Sequence, residues 1–204
     1  MGVSVHLCVA AAGPDPRAAA HALLLELAGT LVDAPTLAHD DTGRPLVPGL
    51  AVSVTHTHHL VAVAAALEGP LGIDLEELHP RAFAPLANRW YSPPELEWLR
   101  RQPDQLHAFL TLWTAKEAVG KALGLGLRKG GLRRQMPLGR GVSKENVLLA
   151  QPVAGLAVLW VPVDGVVLAV AAGAGIGEVV VHQEAALRRA ERSRTSFPVV
   201  VRGN

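Results

Sequence analysis

The sequence Trp113-Thr114-Ala115-Lys116-Glu117-Ala118-Val119-Gly120-Lys121 is the most informative stretch of this chain. If it is helical, Trp113, Glu117 and Lys121 are spaced i, i+4, i+8 and lie along one helix face. A carboxylate and an ammonium group on one face commonly form a surface ion pair worth a few tenths of a kcal/mol. The stretch gains meaning from a second motif upstream.

That second motif is Gly72-Ile73-Asp74-Leu75-Glu76. In a strand, Asp74 and Glu76 point to the same side, and the two apolar residues between and before them point to the other. Two neighbouring carboxylates repel each other, and the arrangement is stable when a cation lies between them. Such alternation alone is typical of a half-exposed strand. Together with Glu117 and Lys121, it indicates a site for a metal-bound phosphate ester.

Start, stop and turn signals predict a mixture of helices and strands. Asp15-Pro16 begins a predicted helix that ends at Gly29, and Ser92-Pro93-Pro94-Glu95 is a capping box for a short helix. The predicted strands cover residues 51–55, 60–67, 72–77, 156–161 and 166–172, and a long helix covers residues 104–123. Asp164-Gly165 predicts a hairpin turn between the last two strands.

An internal similarity suggests two related halves. The segments 58–66 and 164–172 resemble each other, each follows another strand, and each half has one long helix. We therefore predict an α+β fold of two similar lobes, a pseudo-dimer in which each small antiparallel sheet packs with a long helix. The expected bounds are 1–68 for the N-terminal lobe, 69–185 for the C-terminal lobe with the metal motifs, and 186–204 for a flexible tail.

Composition narrows the class of protein. The 204 residues are 50% hydrophobic and 18% charged, a composition typical of a compact folded chain. The formal net charge of +1 is too small to attract nucleic acid over a long distance. One cysteine, Cys8, excludes an internal disulfide framework. No apolar run has the length of a membrane span. We expect a cytoplasmic protein that binds neither nucleic acid nor membrane.

The two motifs resemble the signature of the 4'-phosphopantetheinyl transferase superfamily, roughly G-x-D-x-E followed by W-x-x-K-E-A-x-x-K. Three further segments are similar to family segments in the same order. They are Gly43-Arg44-Pro45, Thr55-His56-Thr57 and Asn88-Arg89-Trp90-Tyr91-Ser92-Pro93-Pro94-Glu95. The similarity spans about residues 43–127, and the length resembles the two-lobed, monomeric branch of the family.

This resemblance implies transfer of the 4'-phosphopantetheine arm of coenzyme A to a serine of an apo acyl or peptidyl carrier protein, with release of 3',5'-ADP. It implies Mg²⁺ as cofactor, held by Asp74, Glu76 and Glu117, with Glu117 and Lys121 as catalytic residues. Mg²⁺ prefers oxygen ligands, and these three side chains offer no soft ligand. Whether Glu117 is both ligand and base stays open at this stage.

The resemblance also implies a set of contacts to coenzyme A: Arg44, Thr55, His56, Lys116 and Lys121. Arg44 has the planar donor fork that suits phosphate, but a plain turn residue is the alternative. Lys116, one residue round the helix from Glu117, either reaches a phosphate or faces solvent. His58 and His59 lack a further ligand at zinc spacing and are read as exposed turn residues.

Two other functions remain as alternatives. One is a non-catalytic module of the same fold that binds carrier protein, and the other is a Mg²⁺-dependent nucleotide phosphohydrolase. The carrier protein, whether of fatty acid, polyketide or peptide synthesis, is not identified by these residues. The basic segment from Arg128 to Arg134 is either a contact for an acidic carrier or a solvated loop.

Overall fold

The computed structural model describes residues 2–125, 131–136, 148–188 and 194–199. The helices are α1 (Pro16–Ala28), α2 (Ala84–Trp90), α3 (Pro93–Arg100), α4 (Gln105–Ala122) and α5 (Glu184–Arg188), with a 3₁₀ turn at Gly131–Arg133. The strands are β1 (Val3–Ala11), β2 (Ala38–His39), β3 (Pro45–Leu46), β4 (Ala51–His56), β5 (Leu60–Ala66), β6 (Leu71–Glu77), β7 (Leu148–Val153), β8 (Leu156–Val161), β9 (Val166–Gly173), β10 (Ile176–His182) and β11 (Arg194–Pro198).

Local capping signals set the helix starts. The side chain of Asp15 accepts a hydrogen bond from the Ala18 amide at 3.0 Å, with Pro16 as the first residue of α1. Asp104 caps α4 in the same way through the His107 amide, at 2.9 Å. The predicted capping box of α3 is present. These helix predictions are confirmed to within a few residues.

Two sheets form the body of the molecule. The first has the order β11-β10-β1-β5-β4, and the second has the order β6-β9-β8-β7. The predicted hairpin is confirmed, because β8 and β9 pair antiparallel on either side of Asp164-Gly165. A small separate hairpin, β2 with β3, carries the Gly43-Arg44-Pro45 turn at its end.

The core explains how these layers stack. One buried cluster joins residues of β1 and β5 to residues of β6, β8 and β9, so the two sheets pack face to face. The outer face of the first sheet buries alanine and leucine side chains of α1. The outer face of the second sheet is covered by α4. The layers therefore run α1, first sheet, second sheet, α4, and the predicted α+β class is confirmed.

Three features of the sheets were not predicted. β10 pairs with β1 in parallel, so the first sheet is mixed rather than antiparallel. Residues 176–182 were expected within the 69–185 lobe, but as β10 they belong to the first sheet. Residues 194–198, expected in a flexible tail, form β11 beside β10. The similarity of two lobes as a pseudo-dimer stays a prediction.

The described helices include none that is both long enough and apolar enough to cross a bilayer. Their apolar faces pack on the sheets instead.

Candidate functional site

The site is built on a close crossing of β6 and α4. A Cβ atom on Gly72 would lie 2.1 Å from the main-chain oxygen of Ala118 and 2.5 Å from the nitrogen of Ala122. Only glycine permits this approach of strand to helix backbone. The contact brings Asp74, two residues along β6, to the helix face that carries Glu117 and Lys121.

Asp74 is the buried centre of the site, with 4% of its surface exposed. Its Oδ1 accepts hydrogen bonds from Oγ1 of Thr55 at 2.9 Å and from Nζ of Lys121 at 2.8 Å. Nζ of Lys121 also donates to the main-chain oxygen of Ile73 at 2.9 Å. Oδ2 of Asp74 is buried and accepts no hydrogen bond from any amide, hydroxyl or ammonium group of the described residues. The two oxygens of this carboxylate are therefore in different environments.

Glu117 is half-buried beside Asp74, and its environment favours the protonated form. Burial, more than any other effect, raises the pKa of Glu117 from 4.5 to about 8. The negative charges of Asp74 and Glu76 contribute to this rise, while Lys121 opposes it. The predicted convergence of carboxylates on one lysine is thus present for Asp74, Glu117 and Lys121.

Glu76 takes a different partner. Its Oε2 accepts a hydrogen bond from Arg81 at 2.8 Å, in an ion pair with both side chains about a quarter exposed. Arg81 also donates to the main-chain oxygen of Glu77 at 2.8 Å. Sequence reasoning missed Arg81, since no motif marks it. Within the described ranges, no three His, Cys, Asp or Glu side chains are gathered in the geometry of a metal centre.

The residues present nevertheless fit a magnesium ion. Oδ2 of Asp74 is a buried carboxylate oxygen with no amide, hydroxyl or ammonium donor among the described residues, and a cation beside it would offset the negative charge of Asp74 that helps to raise the pKa of Glu117. All the candidate ligands are carboxylate oxygens, which Mg²⁺ prefers. Asp74 and Glu117 would hold the ion, and Glu76, the third predicted ligand, is engaged by Arg81.

A cleft of about 240 Å³ lies beside this cluster. Arg44 and Lys121 are the basic side chains that line it, and Ser53 and Gly124 are among the other lining residues. Arg44 lies over the end of α4, since its Nη1 is 3.4 Å from the position of a Cβ on Gly124. Among the described residues, Arg44 and Lys121 therefore give this cleft two cationic side chains, and Lys121 also pairs with the buried Asp74.

The turn that carries Arg44 is held by Asp40. Oδ1 of Asp40 accepts hydrogen bonds from the Thr42 and Arg44 amides, both at 2.9 Å, and from the Thr42 hydroxyl at 2.6 Å. These hydrogen bonds lower the pKa of Asp40, the Thr42 hydroxyl most of all. Asp40 was not predicted, although an Asp before a Thr-Gly turn is the usual signal for such a loop.

Thr55 and His56, two of the predicted coenzyme A contacts, do not line this cleft. The hydroxyl of Thr55 points to Asp74, and only 7% of the residue is exposed. His56 is exposed at the end of β4, opposite Val61 of β5, and is not among the described residues that line the cleft. Contacts of Thr55 and His56 to coenzyme A stay predictions.

The prediction for Lys116 needs correction. Lys116 has 0% of its surface exposed, and its Nζ lies 2.8 Å from Oε1 of Glu95, which is also fully buried. The ammonium also donates to the main-chain oxygen of Arg134, and Glu95 accepts from the Met136 amide at 2.8 Å. Lys116 therefore neither faces solvent nor reaches the cleft. It joins α3 and α4 to the segment 131–136.

The basic segment from Arg128 to Arg134 is described only in part. Arg128 and Lys129 lie outside the described residues. Arg133 is exposed and stacks over the ring of Trp90, with 5.7 Å between its Cζ and the ring centroid.

Comparison with known proteins agrees with the motif positions. Residues 70–140 match the model of the 4'-phosphopantetheinyl transferase superfamily. The chain is 35% identical over 100 residues to 4'-phosphopantetheinyl transferase HetI of Nostoc sp., a match that covers 45% of this chain and 42% of that protein. It is 34% identical over 96 residues to 4'-phosphopantetheinyl transferase psf-1 of Bacillus pumilus, covering 45% of this chain and 40% of that protein.

A putative 4'-phosphopantetheinyl transferase of Haemophilus influenzae is 31% identical over 131 residues, with 59% of this chain and 56% of that protein covered. The matches thus span about half the length of these relatives. The matched region holds β6, α4 and every residue of the Asp74–Glu117–Lys121 cluster. Residues 70–140 of this chain are therefore similar in sequence to the 4'-phosphopantetheinyl transferase superfamily.

Proposed function

We propose that this protein transfers the 4'-phosphopantetheine arm of coenzyme A to a serine of an apo carrier protein, with Mg²⁺ as cofactor. The observation that carries the proposal is the position of Lys121. Its Nζ pairs with the buried Asp74, and the same side chain lines the cleft together with Arg44. The names of the relatives support the same class of transfer.

The reaction needs a base that accepts the proton of the serine hydroxyl, and cations that neutralise the negative charge developing on the phosphate groups. The serine Oγ attacks the phosphorus that carries the pantetheine arm. The bond from this phosphorus to the bridging oxygen breaks, and 3',5'-ADP leaves with the electron pair. Charge grows on the phosphoryl oxygens and on the leaving phosphate, so positioned cations lower the barrier.

The side chains divide these tasks. Lys121 and Arg44 lie where they can bind the pyrophosphate of coenzyme A and neutralise the leaving phosphate. Glu117 is the proposed acceptor of the serine proton, because burial and the negative charge of Asp74 raise its pKa in the metal-free protein and so favour proton uptake near neutral pH. Mg²⁺, bound by Asp74 and Glu117, would supply Lewis-acid stabilisation of the phosphoryl oxygens.

One experiment separates this proposal from its alternatives. The protein is incubated with coenzyme A and Mg²⁺, with and without an apo carrier domain, and all species are followed by mass spectrometry. We expect one phosphopantetheine added to the carrier serine and an equal amount of 3',5'-ADP. We expect neither product without the carrier.

Two variants calibrate that assay. Glu117→Ala is expected to be inactive, and Glu97→Ala, which changes an exposed glutamate of α3, is expected to match the parent. Hydrolysis of coenzyme A without carrier would indicate the phosphohydrolase. Carrier binding without either product would indicate the non-catalytic module, and either result refutes the proposal.

A further inference from the structure

A row of hydroxyl groups joins the two sheets at the site. β4 is at one edge of the first sheet and β6 is at one edge of the second. Ser53 and Thr55 on β4, and Thr57 directly after it, alternate along the chain and so project to the same side. We call these three residues the hydroxyl row.

Each member of the hydroxyl row contacts a different group of β6. Oγ of Ser53 accepts a hydrogen bond from the Ile73 amide at 3.0 Å. Oγ1 of Thr55 donates to Oδ1 of Asp74 at 2.9 Å. Oγ1 of Thr57 donates to Oε1 of Glu77. Side-chain hydrogen bonds thus connect β4 to β6, where no backbone hydrogen bonds pair the two edge strands.

The hydrogen bond of Thr55 differs from the other two because its acceptor is the carboxylate of Asp74. Oδ1 of Asp74 already accepts from Lys121, so Thr55 gives this oxygen a second donor. Oδ2 has neither of these donors and is buried. Two hydrogen bonds to one oxygen of a carboxylate fix the orientation of the whole group, because rotation would break both.

We propose that Thr55 is a positioning residue that holds Asp74 with Oδ2 presented to the divalent cation. This inference rests on the proposed function, and it assigns Thr55 to the metal ligand rather than to coenzyme A. Residues that hydrogen-bond a metal ligand set its orientation, and removing them costs about 10–100-fold in metal affinity or activity. Without the hydroxyl, Asp74 keeps its charge but loses its fixed orientation.

The test compares three variants by direct metal binding. Thr55→Val removes the hydroxyl with little change of shape, Thr55→Ser retains it, and Thr57→Val removes a hydroxyl from the same row without touching Asp74. Binding of Mn²⁺, as a paramagnetic substitute for Mg²⁺, is measured by electron paramagnetic resonance in the absence of coenzyme A. Thermal stability of each metal-free variant is measured in parallel.

We expect Thr55→Val to bind Mn²⁺ about 10–100-fold more weakly than the parent, and Thr55→Ser and Thr57→Val to bind it within about twofold of the parent. Thr55→Val and Thr57→Val should have similar thermal stability. Should Thr55→Val not fold, Thr55→Ala carries the same expectation, since it also lacks the hydroxyl.

Equal affinity for Mn²⁺ in Thr55→Val and the parent overturns the inference. An equal loss in Thr55→Val and Thr57→Val also overturns it, because the row would then act only by joining the sheets. Failure of the proposed function is a separate result, since it appears as absence of carrier modification by the parent protein, whatever its affinity for Mn²⁺.

Discussion

Nζ of Lys121 lies 2.8 Å from Oδ1 of Asp74 and 2.9 Å from the main-chain oxygen of Ile73. One ammonium group therefore ties the last turn of α4 to the middle of β6. Lysine near a helix C-terminus is also favoured by the helix dipole. Since the Lys121 side chain also lines the cleft, its ammonium group is placed to interact with Asp74 and with a phosphate bound in the cleft.

Lys121→Ala is expected to reduce turnover much more than coenzyme A affinity. The lysine is proposed to meet charge that develops on the leaving phosphate, and such contacts affect kcat rather than KM. Loss of one such donor costs about 10²–10³ in kcat. Steady-state kinetics with a carrier domain measure the split, and Lys121→Arg tests whether a cation alone suffices. A rise in KM for coenzyme A at unchanged kcat would reduce Lys121 to a ground-state phosphate contact.

The metal-free protein is expected to lose stability between about pH 4.5 and pH 8. Glu117 has a pKa of about 8 in the fold and 4.5 as its ordinary value. In that interval the folded state keeps a proton that the unfolded state has released, so the free energy of unfolding falls as pH rises. Denaturant unfolding at several pH values in EDTA measures the slope.

Glu117→Gln is the matched variant for this effect. Glutamine keeps the shape and cannot ionise, so the slope between pH 4.5 and pH 8 should become shallower. The variant should also be at least as stable as the parent at pH 8. A parent and variant with the same slope would contradict the raised pKa of Glu117.

Gly72→Ala is expected to displace Asp74 from Glu117 and Lys121 by separating β6 from α4. The added Cβ would meet the Ala118 oxygen at 2.1 Å, so β6 must move away from α4 and carry Asp74 with it. Overpacking of this kind costs about 1–3 kcal/mol, and more where backbone atoms clash. Thermal unfolding and the transfer assay should both show the loss.

Gly175→Ala provides the control for that substitution. A Cβ on Gly175 meets no atom within 4 Å, and this glycine has no left-handed backbone conformation. It should unfold and react like the parent. If Gly72→Ala also did so, the close crossing of β6 and α4 would not set the site geometry.

Local signals predicted part of this structure and long-range contacts determined the rest. Asp15, Ser92 and Asp104 mark helix starts because a cap acts within three residues of itself. The pairing of β10 with β1 joins opposite ends of the chain, and nothing in either strand specifies the partner. A parallel pair of this kind depends on the whole layer packing rather than on a turn.

The site shows the same division. The spacing of Asp74, Glu117 and Lys121 predicted their convergence, because strand and helix periods put each on a defined face. The environment of Lys116 could not be predicted in this way. It lies about 100° round the helix from Glu117, and its burial depends on α3 and on residues 131–136. No short motif predicts which segments cover that face.

Lys116→Met is expected to destabilise the protein without changing coenzyme A binding. The substitution leaves the fully buried Glu95 carboxylate without its cation, which costs about 3–5 kcal/mol. For a chain of this size that lowers Tm by roughly 6–20 °C. Because Lys116 does not reach the cleft, KM for coenzyme A, measured well below the lowered Tm, should stay at the parental value.

Two further variants complete this test. Arg101→Met breaks the exposed ion pair between Arg101 and Glu97 and should change stability by no more than about 1 kcal/mol. The double variant Lys116→Met with Glu95→Gln removes both buried charges and should recover part of the loss, since the cost arises from one uncompensated charge. A Lys116→Met variant that is as stable as the parent but has a raised KM for coenzyme A would contradict this prediction. Lys116 would then be a phosphate contact rather than the partner of Glu95.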